Sequence, residues 1–201
     1  MSKSYLHIFA MILLFLTFLG CGTQPLVLTE GNLEFLKGQK LINVEYQYDN
    51  LMVGEMTEED YLNREVEEKN SSEPGAGDEW VKKWYGDREG KFQPKFEELL
   101  NENLEGKAIF SPRRKGTKYT LVLKTSFIEP GWKGFGSMMG PAEIKGVALF
   151  VETDNPQIVL AVLPIDDCEV DGSISYAVGT RVSYAYGLAG ERLAVTIINY
   201  L

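Results

Sequence analysis

The chain has 201 residues, 44% of them hydrophobic, with 20 basic and 29 acidic side chains and a formal net charge of -9. That balance excludes a nucleic-acid partner, because phosphate binding draws on clustered Lys and Arg. The length supports one domain with a real core and is short for two.

The N-terminus reads as a targeting segment. Lys3 precedes an apolar run from Leu6 to Leu19 broken only by His7 and Thr17, and small Gly20 stands before Cys21. A positive start, an apolar stretch and a small residue at its end make a signal peptide, and the run falls short of the about 20 apolar residues that span a bilayer. Residues 1–20 are therefore expected to be removed. The stretch "TFLGCGTQP", Thr17 to Pro25, resembles the lipobox of bacterial lipoproteins, in which the cysteine thiol receives a diacylglyceryl group and becomes the acylated N-terminus. It departs from the strict pattern in having Phe18 where leucine is usual and Leu19 where a small residue is usual. Looser forms of this kind are familiar in Bacteroidetes. The resemblance implies lipidation at Cys21 and a protein held on a membrane, each buried methylene contributing about 0.8 kcal/mol. It also implies an outer-membrane location facing the periplasm, since "GTQPLVL" carries no charge.

Removal of residues 1–20 takes away the single histidine, His7, and Lys3, leaving 19 basic against 29 acidic residues. Without histidine, the Ser-His-Asp and Cys-His arrangements and histidine-based metal sites are excluded. No Ser-x-x-Lys pair and no glycine-rich nucleotide fingerprint occurs. With Cys21 lipidated, Cys168 has no partner for a disulfide, and its neighbours Asp166, Asp167 and Glu169 repel a thiolate, so it reads as a structural thiol. No cofactor is expected.

Residues 21–40 have little periodicity and contain Pro25, Gly31 and Gly38, which predicts a lipidated tether that partly docks; 41–201 is read as a single domain. In "LINVEYQYD", Ile42, Val44, Tyr46 and Tyr48 alternate with Asn43, Glu45, Gln47 and Asp49, the pattern of a half-buried strand. Thr57 is placed to cap a helix whose first turn is Glu58, Glu59 and Asp60, with Tyr61, Leu62 and Val66 as its apolar stripe. After "NSSEPGAG", Asp78 opens a short helix with Trp80, Val81 and Trp84. Beyond Gly86 and Gly90 a further helix starts at Pro94, carries Phe96, Leu99, Leu100 and Leu104, and stops at Gly106. "RRKGTK", Arg113 to Lys118, is a solvated turn. Three strands follow, "KYTLVLKTSFIEP", "EIKGVALFVET" and "QIVLAVLPI", the last apolar on both faces and so expected inside the sheet. Val178, Val182, Ala185, Ala189, Leu193 and Ile197 then follow helical spacing, with Arg181, Glu191 and Arg192 against a membrane span and Gly187 and Gly190 packed on the sheet.

This order predicts an α+β two-layer sandwich, a mostly antiparallel sheet of about four strands with helices on one face. In element order, and in "VEYQYDNLMVGEMTEEDY" and "AYGLAGERLAVTIINYL", the chain resembles small Bacteroidetes envelope lipoproteins and, distantly, lipoproteins with a domain like the N-terminal domain of TolB. The resemblance implies fold and compartment and carries no catalytic motif.

Two segments hold candidate sites. The connection "EPGWKGFGSMMGP", Glu129 to Pro141, is long and glycine-rich, and long connections between strands are often functional. Trp132 and Phe135 suit stacking on a sugar or filling a partner's pocket, and Met138 and Met139 suit an adaptable apolar contact. Folding back to cap the sheet is the competing use. In "DDCEVDG", Asp167, Glu169 and Asp171 alternate before a glycine like the start of a calcium loop, but a strand precedes them and Val178 takes the place of the closing glutamate. A solvated acidic turn is the simpler reading. The functional expectation is a non-enzymatic, membrane-anchored binding or scaffolding protein with an envelope protein or glycan partner. The alternative is a carboxylate-dependent enzyme or glycan-binding module acting on envelope polysaccharide.

Overall fold

The computed structural model describes residues 23–132 and 139–201. Its centre is an eight-stranded mixed sheet. The strands are β1 Glu30–Gly31, β2 Leu41–Gln47, β3 Met52–Val53, β4 Met56–Thr57, β5 Ile109–Pro112, β6 Tyr119–Glu129, β7 Ala142–Glu152 and β8 Val159–Val170. Their spatial order is β1-β8-β7-β6-β2-β5, with β3 beside β6 and β4 beside β3. The β6, β7 and β8 meander is antiparallel, whereas β2 runs parallel to both β5 and β6, and β3 parallel to β6.

The four-stranded, mostly antiparallel sheet expected from the sequence is therefore corrected. Parallel neighbours need a crossover, and the helical segment between β2 and β5 supplies it. Strands of two residues show no periodicity, so β1, β3 and β4 escape pattern reading. The third strand also differs from expectation. It continues through the acidic "DDCEV", and its neighbour beyond β7 is only the two-residue β1. Ala161, Leu163 and Ile165 are fully buried while Val162 and Pro164 are half-buried, so it has one inner and one outer face.

Among the described residues four α-helices accompany the sheet: α1 Glu58–Ser72, α2 Ala76–Asp87, α3 Gln93–Asn103 and α4 Val178–Ile197. Thr57 caps α1, its hydroxyl oxygen accepting the Asp60 N–H at 3.1 Å. The break expected at Gly86 and Gly90 does not occur. A π-helical turn, Arg88–Phe92, joins α2 to α3 without interruption, and both glycines face open space. Leu121, Leu123, Ala148, Phe150, Ala161 and Leu163 form the inner sheet face. Phe92, Phe96 and Leu100 join Val182, Ala185, Tyr186, Ala189 and Leu193 of α4 in the same core. Tyr186 stacks on Phe92 with centroids 5.2 Å apart, and its hydroxyl bonds Thr125 at 2.8 Å.

Gly187 and Gly190 pack on α3 and not on the sheet. A Cβ at Gly187 would come within 2.8 Å of Leu99 Cδ1, and one at Gly190 within 2.3 Å of the Phe96 carbonyl oxygen. Near the N-terminus, Leu26, Leu33 and Leu36 are buried in the main core, so the segment read as a tether is docked from its first described residues onward. Leu26 N–H donates to Thr196 Oγ1 at 2.8 Å, and Arg192 Nε donates to the Gln24 carbonyl at 2.9 Å.

Candidate binding cleft

A cleft of about 670 Å³ opens between the α1–α2 pair, the β3–β4 hairpin and the segments that follow β6 and precede α4. All three tryptophans of the chain, Trp80, Trp84 and Trp132, line it, together with Tyr61 and Tyr176. Its floor is an aromatic cluster. Trp80 and Trp84 stack at 5.7 Å, and Tyr61 leans on them at 5.8 and 5.3 Å. Cations sit over this cluster, Lys69 Nζ 4.9 Å above Trp80 and the Arg64 guanidinium 5.0 Å above Tyr61. The buried Trp84 indole N–H donates to Glu58 at 2.5 Å, and Arg88 pairs with the same carboxylate.

The opposite wall consists of two chain segments held by one side chain. Arg181 is 1% exposed. Its Nε and Nη2 donate to the Pro130 carbonyl at 3.2 and 2.8 Å, and Nη1 donates to the carbonyls of Ser175 and Tyr176 at 2.9 and 3.0 Å. Among the described residues it pairs with no carboxylate. Burial draws its pKa below the ordinary guanidinium value, yet arginine keeps its proton in proteins. A buried charge costs free energy unless its donors are satisfied, and here backbone carbonyls satisfy them.

The two fastened segments each present an exposed ring, Trp132 at 57% and Tyr176 at 72% exposure. Trp132 is also positioned from below. Its indole lies against Gly140, where a Cβ would stand 2.3 Å from Nε1, and its carbonyl accepts the Gly140 N–H at 2.7 Å. Gly131 has φ +80° and would place a Cβ 2.5 Å from the Gly140 carbonyl oxygen, so both conformation and space require glycine there. Glu129 Oε1 accepts the Gly131 N–H at 2.9 Å.

Charge in the cleft is closely balanced. Arg64, Lys69, Lys83 and Arg181 face Glu55, Glu65, Glu68, Asp87 and Glu129. Glu65 is held by Lys69 at 2.6 Å and Arg64 at 3.0 Å. Burial works to raise its pKa, but those two cations more than offset it and hold the carboxyl below its ordinary value. A general acid needs the opposite shift. Asp87 is paired with Lys91 at 2.8 Å, and its carboxylate lies against Gly179 in the first turn of α4. That helix has no side-chain cap of its own, so Asp87 places negative charge where the helix dipole favours it.

Of the residues singled out from sequence, Trp132 stands at the cleft mouth and Met139 is half-buried beyond it. Cys21, Phe135 and Met138 lie outside the described residues. Asp167 and Glu169 are exposed on β8, and Asp171 follows it, its carboxylate accepting the Ser173 N–H at 2.7 Å. Among the described residues no three His, Cys, Asp or Glu side chains group as a metal site.

Cys168 is fully buried. Burial is the main cause that pushes its thiol pKa up to about 11; Asp166 and Asp167 add to the rise and Arg192 opposes it. The protonated thiol therefore favours the native state fully below the ordinary thiol value of about 8.5, and that contribution is lost as pH rises through about 11. Iodoacetamide at about pH 8 should label Cys168 in denatured protein alone. Ready labelling of the folded protein would contradict its burial.

Sequence reasoning missed Tyr176, Arg181 and the convergence of Trp80 and Trp84 with Trp132. One signal for Arg181 was present: it falls between Val178 and Ala185 at helical spacing, a cation on the apolar face of α4.

No family model matches the chain, and no curated protein does. Among solved structures it is similar to the PelC dodecamer from Paraburkholderia phytofirmans, at 13% sequence identity and a TM-score of 0.37, over 84% of this chain and 94% of that one. At that score the likeness carries no argument.

Proposed function

We propose that this chain is a lipid-anchored, non-enzymatic binding protein of the bacterial envelope, and that its ligand enters the cleft between Trp132 and Tyr176. The observation that carries the reading is the clamp. One buried guanidinium fastens the backbone of both segments that bear exposed rings, so those segments are ordered before a ligand arrives, which reduces the ordering cost of binding.

The first described residues and the cleft lie toward opposite ends of α4. Thr23, Gln24 and Leu26 bond Glu191, Arg192 and Thr196 in its C-terminal half, whereas the cleft lies at Val178, Gly179 and Arg181. The twelve residue-to-residue steps of helix from Gly179 to Glu191 span about 18 Å. Cys21 is two residues before Thr23, a reach of about 7 Å. Acylation at Cys21 would hold the domain close to the bilayer with the cleft displaced from the anchored end. Tethering then raises the effective concentration near membrane-associated ligands, so modest affinity suffices.

Cys21→Ser tests the anchor. The variant should remain unprocessed or leave the membrane fraction, and persistent normal acylation would remove the lipoprotein reading. Among the described residues no helix is long and apolar enough to cross a membrane. The cleft is tested by cross-linked capture from native envelopes, which Trp132→Ala combined with Tyr176→Ala should abolish while thermal stability stays near that of the wild type.

A further inference from the structure

We infer that the ligand of this cleft is a glycan of neutral pyranose units, stacked on Trp132 and Tyr176 and hydrogen-bonded by the charged side chains behind them. The inference rests on the binding reading above and gives its ligand a chemical class.

Three features of the cleft select that class. The exposed rings are planar and stand on backbone that Arg181 fastens, and the C–H faces of a pyranose with equatorial substituents match such a surface. Trp132 is suited to this because Gly140 supports one side of its indole while more than half of the side chain remains open. The second feature is charge. A lining with both signs in near balance favours neither a polyanion nor a polycation, but its ionised groups make strong hydrogen bonds to neutral hydroxyls. An acyl chain would instead strip water from the Glu65 ion pairs and from the exposed Glu55, Glu68 and Lys83 beside them.

The third feature disfavours an extended peptide. Peptides added along a wall bond through main-chain groups. Here the carbonyls of Pro130, Ser175 and Tyr176 already accept from Arg181. Those three carbonyls are thus engaged before any peptide arrives.

The test is titration of the full acylated protein in detergent with cellohexaose and, separately, chitohexaose, followed by tryptophan fluorescence and calorimetry. Because every tryptophan lines the cleft, occupancy should change the emission. Saturable binding is expected with at least one oligosaccharide, weakened about tenfold or more by Trp132→Ala or Tyr176→Ala. Trp132→Phe, which keeps a smaller ring, should retain part of it. Gly140→Ala keeps the indole but displaces it, and should also weaken binding. Binding that neither ring variant alters would overturn the inference, as would stronger binding of an oligogalacturonate. If no oligosaccharide binds while the envelope capture still depends on Trp132 and Tyr176, the glycan assignment fails and the cleft reading survives with a protein ligand. If capture fails as well, both fall.

Discussion

Arg181→Met is expected to destabilise the protein by roughly 3 kcal/mol, since it strips hydrogen bonds from the carbonyls of Pro130, Ser175 and Tyr176. Methionine fills much of the arginine stem's volume, so the loss should come from the polar head and not from a cavity. In a domain of this size such a loss lowers the midpoint of thermal unfolding by about 6–12 °C. It should act locally too: amides near Trp132 and Tyr176 should exchange faster with solvent than those of β6 and β7. Arg181→Lys is expected to fall between wild type and methionine, because an ammonium keeps the charge but lacks the planar fork that reaches two segments at once. Unchanged stability with unchanged loop exchange in Arg181→Met would mean that the guanidinium does not hold the cleft wall.

The second large effect is a reversal of helix propensity. Alanine is favoured over glycine inside a helix by about 1 kcal/mol, so propensity alone predicts that Gly190→Ala stabilises α4. The structure predicts the opposite. A methyl group there would meet the Phe96 carbonyl oxygen at 2.3 Å and Leu100 N at 3.1 Å, both backbone atoms of α3 that cannot rotate aside. Separating α3 from α4 should cost about 1–3 kcal/mol net, the usual range for overpacking. Gly86→Ala, in α2 where a new Cβ meets nothing within 4 Å, should instead stabilise by a few tenths to about 1 kcal/mol. Chemical denaturation of the two variants side by side checks the pair. Equal signs would contradict the close approach of α3 and α4.

Those two glycines also show where sequence reading stops. Gly86 looked like a helix end and is passed by a continuous helix, because its open side lets the chain continue through the π-helical turn. Gly190 was read correctly as a close-packing residue but assigned to the wrong neighbour, since spacing along a helix says which residues share a face and not what covers it. The strands illustrate the same limit. Alternation from Ile42 to Tyr48 marks β2 as a strand in the sequence. Whether β2 and β6 run parallel was not legible, since period two is common to both pairings. At the site, Trp132 was legible as an aromatic residue in a long glycine-rich connection. Tyr176 was not, because its exposure depends on the short stretch before α4, and its link to Trp132 runs through the side chain of Arg181.

We propose that this protein meets its ligand at the mouth between Trp132 and Tyr176. The most direct test replaces Tyr176 with a photoreactive benzoylphenylalanine in the full chain and irradiates living cells. A second protein carries the same group at Tyr200, which is exposed and outside the cleft. A discrete adduct is expected from position 176, absent from position 200 and lost when Trp132→Ala is added. Equal labelling from both positions, or an adduct at 176 that persists without Trp132, would contradict the proposal.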